Sequence, residues 1–334
     1  MTRLSIRLLC ALGLGVMPTL APAQQAIPVV PAGVKVELVY GEGFFLEGPT
    51  PALDGTIFFS DITNTERSGG QSGHIMRYDP ATGKTTVYRS PSGQANGMIV
   101  DAQGRLVVTE GADFGARRVT RTDLATGRST MLAWTFNGRR FNSPNDVTID
   151  GNGRIYFTDP RYSGHETVEQ PVMGVYRIDS IGSVQLVIAD AGKPNGVEVS
   201  PDGKTLYVSS GGNLATAPLA ASVPVRATVN ALLAYDLLPD GSARFRKELV
   251  KYEAGPDGIT VDTEGNIYAT LPGPGDQRGV HVYAPSGAEV AFIPVPQVPS
   301  NVTFGRGADA NMLYITARTG LYRIRLNRTG YHPN

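Results

Sequence analysis

The chain has 334 residues, 30 basic and 30 acidic, so it carries no basic excess for nucleic acid or an anionic membrane surface. Its one cysteine, Cys10, excludes an internal disulfide and a multi-cysteine metal site. With 40 glycines, 24 prolines and few long helical patterns, it reads as a turn-rich, all-β chain.

At the N-terminus, Arg3 and Arg7 precede an apolar run from Leu8 to Leu20, and Ala21-Pro22-Ala23 supplies a small-x-small cleavage pattern before Gln24. This is the layout of a secretory signal peptide over residues 1–23. The run is too short for a membrane span and is broken by Pro18. The expectation is a periplasmic or secreted protein, free of the membrane after cleavage and monomeric. Losing Arg3 and Arg7 leaves 28 basic residues against 30 acidic, a net charge of about −2.

Next comes a strand, VKVELVY at 34–40, and then one unit is repeated six times. In chain order the copies are EGPTPALDGTIFFSD (47–61), ANGMIVDAQGRLVVTE (95–110), PNDVTIDGNGRIYFTDP (144–160), PNGVEVSPDGKTLYVSS (194–210), PDGITVDTEGNIYAT (256–270) and SNVTFGRGADANMLYIT (300–316). Each is a short strand of period two, a glycine turn, and a return strand rich in Ile, Tyr, Phe and Val, hence a β-hairpin. A second hairpin follows the first five copies, at 73–89, 117–133, 173–189, 232–250 and 279–295. Four strands in about 50 residues make a propeller blade. After the sixth copy only GLYRIRL (320–326) remains, so the strand at 34–40 is expected to complete the last sheet and close the ring. The prediction is a single six-bladed β-propeller over 24–327. A long insertion at 211–230 is expected to cover one face, and the tail at 328–334 is expected to fray.

The residues that open the copies are Glu47, Asn96, Asn145, Asn195, Asp257 and Asn301, spaced by 49, 49, 50, 62 and 44 residues. If the first strand of each hairpin is innermost, all six ring the mouth of the central channel. Every one offers a side-chain oxygen, and none of the four histidines is among them. An all-oxygen set with two carboxylates suits a hard divalent cation, while zinc prefers His or Cys. Single Asn-Gly and Asp-Gly pairs also read as turns, but a turn does not explain Glu47 or an oxygen in every copy.

LEGPT (46–50), NSPNDV (142–147) with GRIYFTDP (153–160), KPNGVEVSPDGKTLYVS (193–209) and GPDGITVDTEGNIY (255–268) resemble the senescence marker protein (regucalcin)/gluconolactonase/luciferin-regenerating enzyme family over nearly the whole mature chain. The resemblance implies a six-bladed propeller with one axial divalent cation and hydrolysis of sugar lactones. The expected cation is Ca²⁺, with Mg²⁺, Mn²⁺ and Zn²⁺ as alternatives. Glu47, Asn145, Asn195 and Asp257 match the family's ligand positions. Asn96 and Asn301 are not firm family ligands and are read as supporting the ligands or facing substrate.

Lactone opening needs a water, a base and stabilisation of the carbonyl oxygen. Asp257 is the candidate base as well as a ligand. Asp146, Glu110, and Arg161, Tyr162 and His165 of the loop DPRYSGHE (159–166) are further candidates for contact with a small-molecule substrate. Two readings stay open: a metal-dependent lactonase, and a non-catalytic propeller that binds a ligand or a partner protein. No nucleophile-elbow motif or reactive cysteine supports covalent acyl chemistry.

Overall fold

The computed structural model describes residues 27–63, 73–211 and 230–333. The signal-peptide segment and most of the long insertion lie outside these residues. Strand β1 (Glu37–Tyr40) comes first, followed by β2 (Leu46–Pro51), β3 (Ile57–Asp61), β4 (His74–Asp79) and β5 (Lys84–Arg89) as blade 1. Blade 2 comprises β6 (Ala95–Val100), β7 (Arg105–Glu110), β8 (Arg118–Asp123) and β9 (Ser129–Ala133). A small unanticipated hairpin, β10 (Thr135–Phe136) with β11 (Arg139–Arg140), leads to blade 3. That blade is β12 (Val147–Ile149), β13 (Ile155–Asp159), β14 (Gly174–Ile178) and β15 (Val184–Ile188).

Blade 4 is β16 (Pro194–Val199), β17 (Thr205–Ser210), β18 (Ala231–Leu237) and β19 (Ala243–Lys251). Blade 5 is β20 (Ile259–Val261), β21 (Ile267–Leu271), β22 (Gly279–Tyr283) and β23 (Glu289–Pro294). In blade 6, β24 (Pro299–Phe304), β25 (Met312–Ala317) and β26 (Gly320–Arg325) are completed by β1 from the other end of the chain. Glu37 pairs with Arg323 across that junction, and their side chains form an ion pair at 2.9 Å. The protein is an all-β, six-bladed propeller closed by its N-terminal strand; only two short 3-10 turns interrupt the strands among the described residues.

Burial falls from the axis outwards. In β13 every residue of IYFTD is buried, whereas β19 at the rim alternates between half-buried and exposed. Tyr314 shows how neighbouring blades join: fully buried, it packs with Phe59, Tyr78 and Leu321 where blade 6 meets blade 1. Removing such a ring costs about 3–5 kcal/mol.

The hairpin turns have a shared chemistry. Asp150 Oδ1 accepts the amides of Asn152 and Arg154 at 2.9 and 3.0 Å, and Gly153 takes the left-handed conformation at φ 76° that glycine adopts without strain. Asp101 and Asp262 form the same turn in blades 2 and 5.

The C-terminal tail is fastened, contrary to the expected fraying. Thr263 N donates to Thr329 O (2.9 Å), Gly330 N to Ala310 O (2.9 Å) and Tyr331 N to Val261 O (3.1 Å). A ring nitrogen of His332 lies 3.0 Å from Gly305 O. Backbone hydrogen bonds to two blades offset the entropy that would otherwise leave a short polar terminus loose.

Candidate active site

Blade repetition brings distant residues to one axis. Glu47, Asn96, Asn145, Asn195 and Asp257 line one cavity of about 310 Å³, together with Phe44, Phe45, Ile62, Tyr162, Ser163 and Arg318. Five of the six column residues therefore converge as the repeat implies.

Asn301 does not. Aligning Val302 with Val147 and Val197 places Ser300 at the column position and Asn301 one residue beyond it, beside Asp146. A one-residue slip along a strand sends a side chain to the opposite side. Asn301 and Asp146 accordingly line a second chamber, of about 40 Å³, at the far end of the channel. Neither lines the larger cavity, although the Asn301 side chain hydrogen-bonds the Glu47 carboxylate and so supports it.

The glycines after the column residues are explained by close approach, not by turns. A Cβ on Gly97 would stand 2.7 Å from Asn145 O, and one on Gly196 would stand 2.7 Å from Asp257 O. On Gly258 it would collide with the Asn301 side chain. Each glycine thus lets the next blade's inner segment come close. Gly97 N donates to Asn145 O at 2.7 Å and Gly258 N to Ser300 O at 2.8 Å.

A ring of hydroxyls completes this frame. Ser60 Oγ donates to Asn96 O (3.0 Å), Thr109 Oγ1 to Asn145 O (2.5 Å) and Thr158 Oγ1 to Asn195 O (2.7 Å). Ser209 Oγ donates to Asp257 O (2.6 Å) and Thr270 Oγ1 to Ser300 O (3.0 Å). In each case the second strand of one blade holds the backbone of the next blade's column residue. With that carbonyl engaged sideways, the side chain is left to face the cavity. The residues were visible in the sequence as a Ser or Thr near the end of every copy; their partners were not, because the bonds cross between blades.

Acidic residues brace the approach loops. Asp61 Oδ1 accepts Phe44 N and Phe45 N at 2.8 and 3.1 Å, just ahead of Glu47. Asp159 accepts Asn142 N and Ser143 N at 2.8 and 2.7 Å, just ahead of Asn145.

Other candidates lie elsewhere. Glu110 is buried between Arg89 (2.8 Å) and Arg118 (2.6 Å) and does not line the cavity. Burying a carboxylate requires such partners, which accounts for Glu110 in the interior without a substrate. His165 is exposed on the outer loop, 3.8 Å from Asp113, and also lies outside the cavity lining. Arg161 is buried and donates to Asn142 O at 2.7 Å. Tyr162 does line the cavity, with Lys193 Nζ 4.3 Å from its ring centroid.

No group of three or more His, Cys, Asp or Glu is placed to hold a metal among the described residues. What converges instead is two carboxylates with amide oxygens. Burial, followed by the charge of Asp257, pushes Glu47 well above the usual carboxylate range. Burial and Asp146 push Asp257 up to about 7. The buried Asn96 Oδ1 has no hydrogen-bond partner. Two carboxylates without a cationic partner among the described residues and an orphaned amide oxygen are the donor set that a hard cation satisfies.

The SMP-30/Gluconolactonase/LRE-like region family model matches residues 45–319. The chain belongs to this family. It is 29% identical to a gluconolactonase of Zymomonas mobilis, over 90% of this chain and 84% of the relative. It superposes on a gluconolactonase of Xanthomonas campestris with TM-score 0.72 and 28% identity, covering 91% of this chain and 98% of the other. Regucalcin from Agrobacterium tumefaciens, described as a calcium-binding protein, aligns with TM-score 0.66 and 21% identity over 92% and 98% of the two chains, which shows the shared propeller.

Proposed function

We propose that this protein is a metal-dependent lactonase, exported to the periplasm or beyond, that opens the ring ester of a small sugar lactone. The observation that carries this reading is the convergence of Glu47, Asn145, Asn195 and Asp257 in one cavity open to solvent. The gluconolactonases of Zymomonas and Xanthomonas support the reaction class.

Glu47, Asn145, Asn195 and Asp257 would hold one divalent cation, most simply Ca²⁺, with Asn96 beside them. When bound, the cation supplies Lewis-acid polarisation of the lactone carbonyl and stabilises charge building on its oxygen. The chain does the rest. Two neutral amides among the ligands add no further negative charge. Asp257 takes a proton from the attacking water, whose oxygen forms the new bond to the carbonyl carbon. The ring C–O bond breaks, Asp257 passes that proton to the departing ring oxygen, which becomes a hydroxyl, and the product is a hydroxy acid. Phe44, Phe45 and Ile62 shield one wall, and Tyr162 bounds the other.

The test is a panel of sugar and aliphatic lactones assayed with chelator and then with Ca²⁺, Mg²⁺, Mn²⁺ or Zn²⁺. Opening of at least one lactone that stops with chelator and returns with a cation is the expected outcome. No opening under any condition refutes the enzyme.

A further inference from the structure

We infer that Arg318 is a carboxylate-recognising residue of this cavity, so that its ligands carry a carboxylate seated on the blade 6 side, opposite Tyr162. This rests on the assignment of the cavity to lactone opening. The Arg318–Thr319 turn joins β25 to β26 and is clamped from three directions. Arg318 O accepts Leu46 N at 2.7 Å, Thr319 O accepts Gly43 N at 3.1 Å, and Gln297 Oε1 accepts Thr319 N at 3.0 Å. The turn is thereby fixed to the segment carrying Phe44, Phe45 and Glu47.

Arg318 sits there at φ 47°, a left-handed conformation that favours glycine. It is exposed, lines the cavity, and has no ion pair or side-chain hydrogen bond among the described residues. A strained, clamped arginine facing a site without a partner is placed for a ligand.

Charge selects the ligand. Among the described residues, Glu47 and Asp257 are the acids of the cavity lining, and Arg318 is its one basic residue. A bound divalent cation would offset the two acids, and the arginine would then leave the cavity electropositive. A carboxylate fits that field and the planar guanidinium fork. The apolar wall of Phe44, Phe45 and Ile62 beside the arginine lowers the competition from water. The carboxylate has two sources: one carried by the lactone itself, or the one released by ring opening.

Gluconate and glucarate binding is measured by calorimetry with and without Ca²⁺ in the full mature protein, Arg318→Gln, Arg318→Lys and Arg318→Gly. Expected are a tenfold or greater loss of affinity in Arg318→Gln, partial recovery in Arg318→Lys, and dependence on Ca²⁺. Arg318→Gly should melt at a higher temperature while binding as weakly as Arg318→Gln, which separates recognition from folding. Affinities that change less than twofold in both overturn the proposal.

Turnover of glucarolactone and neutral gluconolactone distinguishes the sources. A selective loss of kcat/KM for glucarolactone in Arg318→Gln shows recognition of a substrate carboxylate. Equal kcat/KM for both, with weakened product inhibition, shows recognition of the released one. Arg318-dependent binding without opening of any lactone would defeat the lactonase reading and leave this one standing.

Discussion

The two ends of the central channel are built from neighbouring residues of the same strands, yet they differ in chemistry. At one end, Glu47, Asn145, Asn195 and Asp257 face a cavity of about 310 Å³. At the other, Asp146, Glu198 and Asn301 face a chamber of about 40 Å³, lined also by Tyr331, His332 and Pro333 of the tail. Both ends bury acids with raised pKa values: Asp146 is pushed up to about 7 and Glu198 to about 8, chiefly by burial. Buried acids alone therefore do not mark the active end. Room for a ligand, the orphaned Asn96 oxygen and, among the described residues, an unpartnered arginine do.

The largest expected difference between the ends is catalytic. Asp257→Asn should lower kcat by about 10²–10⁴-fold, whereas Asp146→Asn, which alters the second chamber and removes a charge next to Asp257 without removing the base, should lower it by less than about tenfold; equal losses in steady-state assays would erase the distinction. Next is packing at the axis. Gly258→Ala places a methyl group against Asn301 and should destabilise by about 1–3 kcal/mol, read as a lower denaturation midpoint. An unchanged midpoint would show that the axis is looser than its contacts imply.

The end lined by the tail should respond to acid. Burial, and then Arg306, hold the His332 imidazole down to about 4 from its ordinary 6.5. An undocked tail binds a proton below pH 6.5 that the docked tail refuses until about pH 4. Docking is therefore fully stable above pH 6.5 and weakens as pH falls through that window, by up to about 3 kcal/mol. Carboxypeptidase release of the tail should rise between pH 6.5 and 4 in the wild type, and flatten with pH in His332→Ala. Release that does not vary with pH would rule His332 out as the cause.

The smallest effect belongs to the hydroxyl ring. Thr158→Val removes the bond to Asn195 O and should cost about 1–2 kcal/mol, with a several-fold loss of Ca²⁺ affinity measured by calorimetry. Thr120→Val, which loses a buried bond to Glu110 in place of one to a column residue, should lower stability without changing Ca²⁺ affinity. Parallel changes in both variants would remove the positioning role.

Much of the architecture was legible in the chain. The inner strands are the most buried, so their composition is the most constrained, and the six copies stand out for that reason. Their alternation and turns also located the second hairpins to within a few residues. The site was partly legible. Glu47, Asn96, Asn145, Asn195 and Asp257 were found because a ring turns equal spacing into equal position. Asn301 was placed one residue off, because the sixth copy has Ser300 at the column position and a polar neighbour hides the slip, but its side chain still hydrogen-bonds the Glu47 carboxylate, in keeping with a residue that supports a ligand. Glu110 and His165 were drawn in by residue type; only the structure shows Glu110 paired with two arginines and His165 on the outer loop.

By itself, the sequence determined the repeat, the blade count and the oxygen-rich column, because these follow from local periodicity and repeat spacing. Tertiary structure alone decided which end of the channel each polar residue faces, how the glycines and hydroxyls of one blade seat the next, and where Arg318 and the tail lie. Those outcomes depend on contacts between segments far apart in the chain, and no local pattern encodes them.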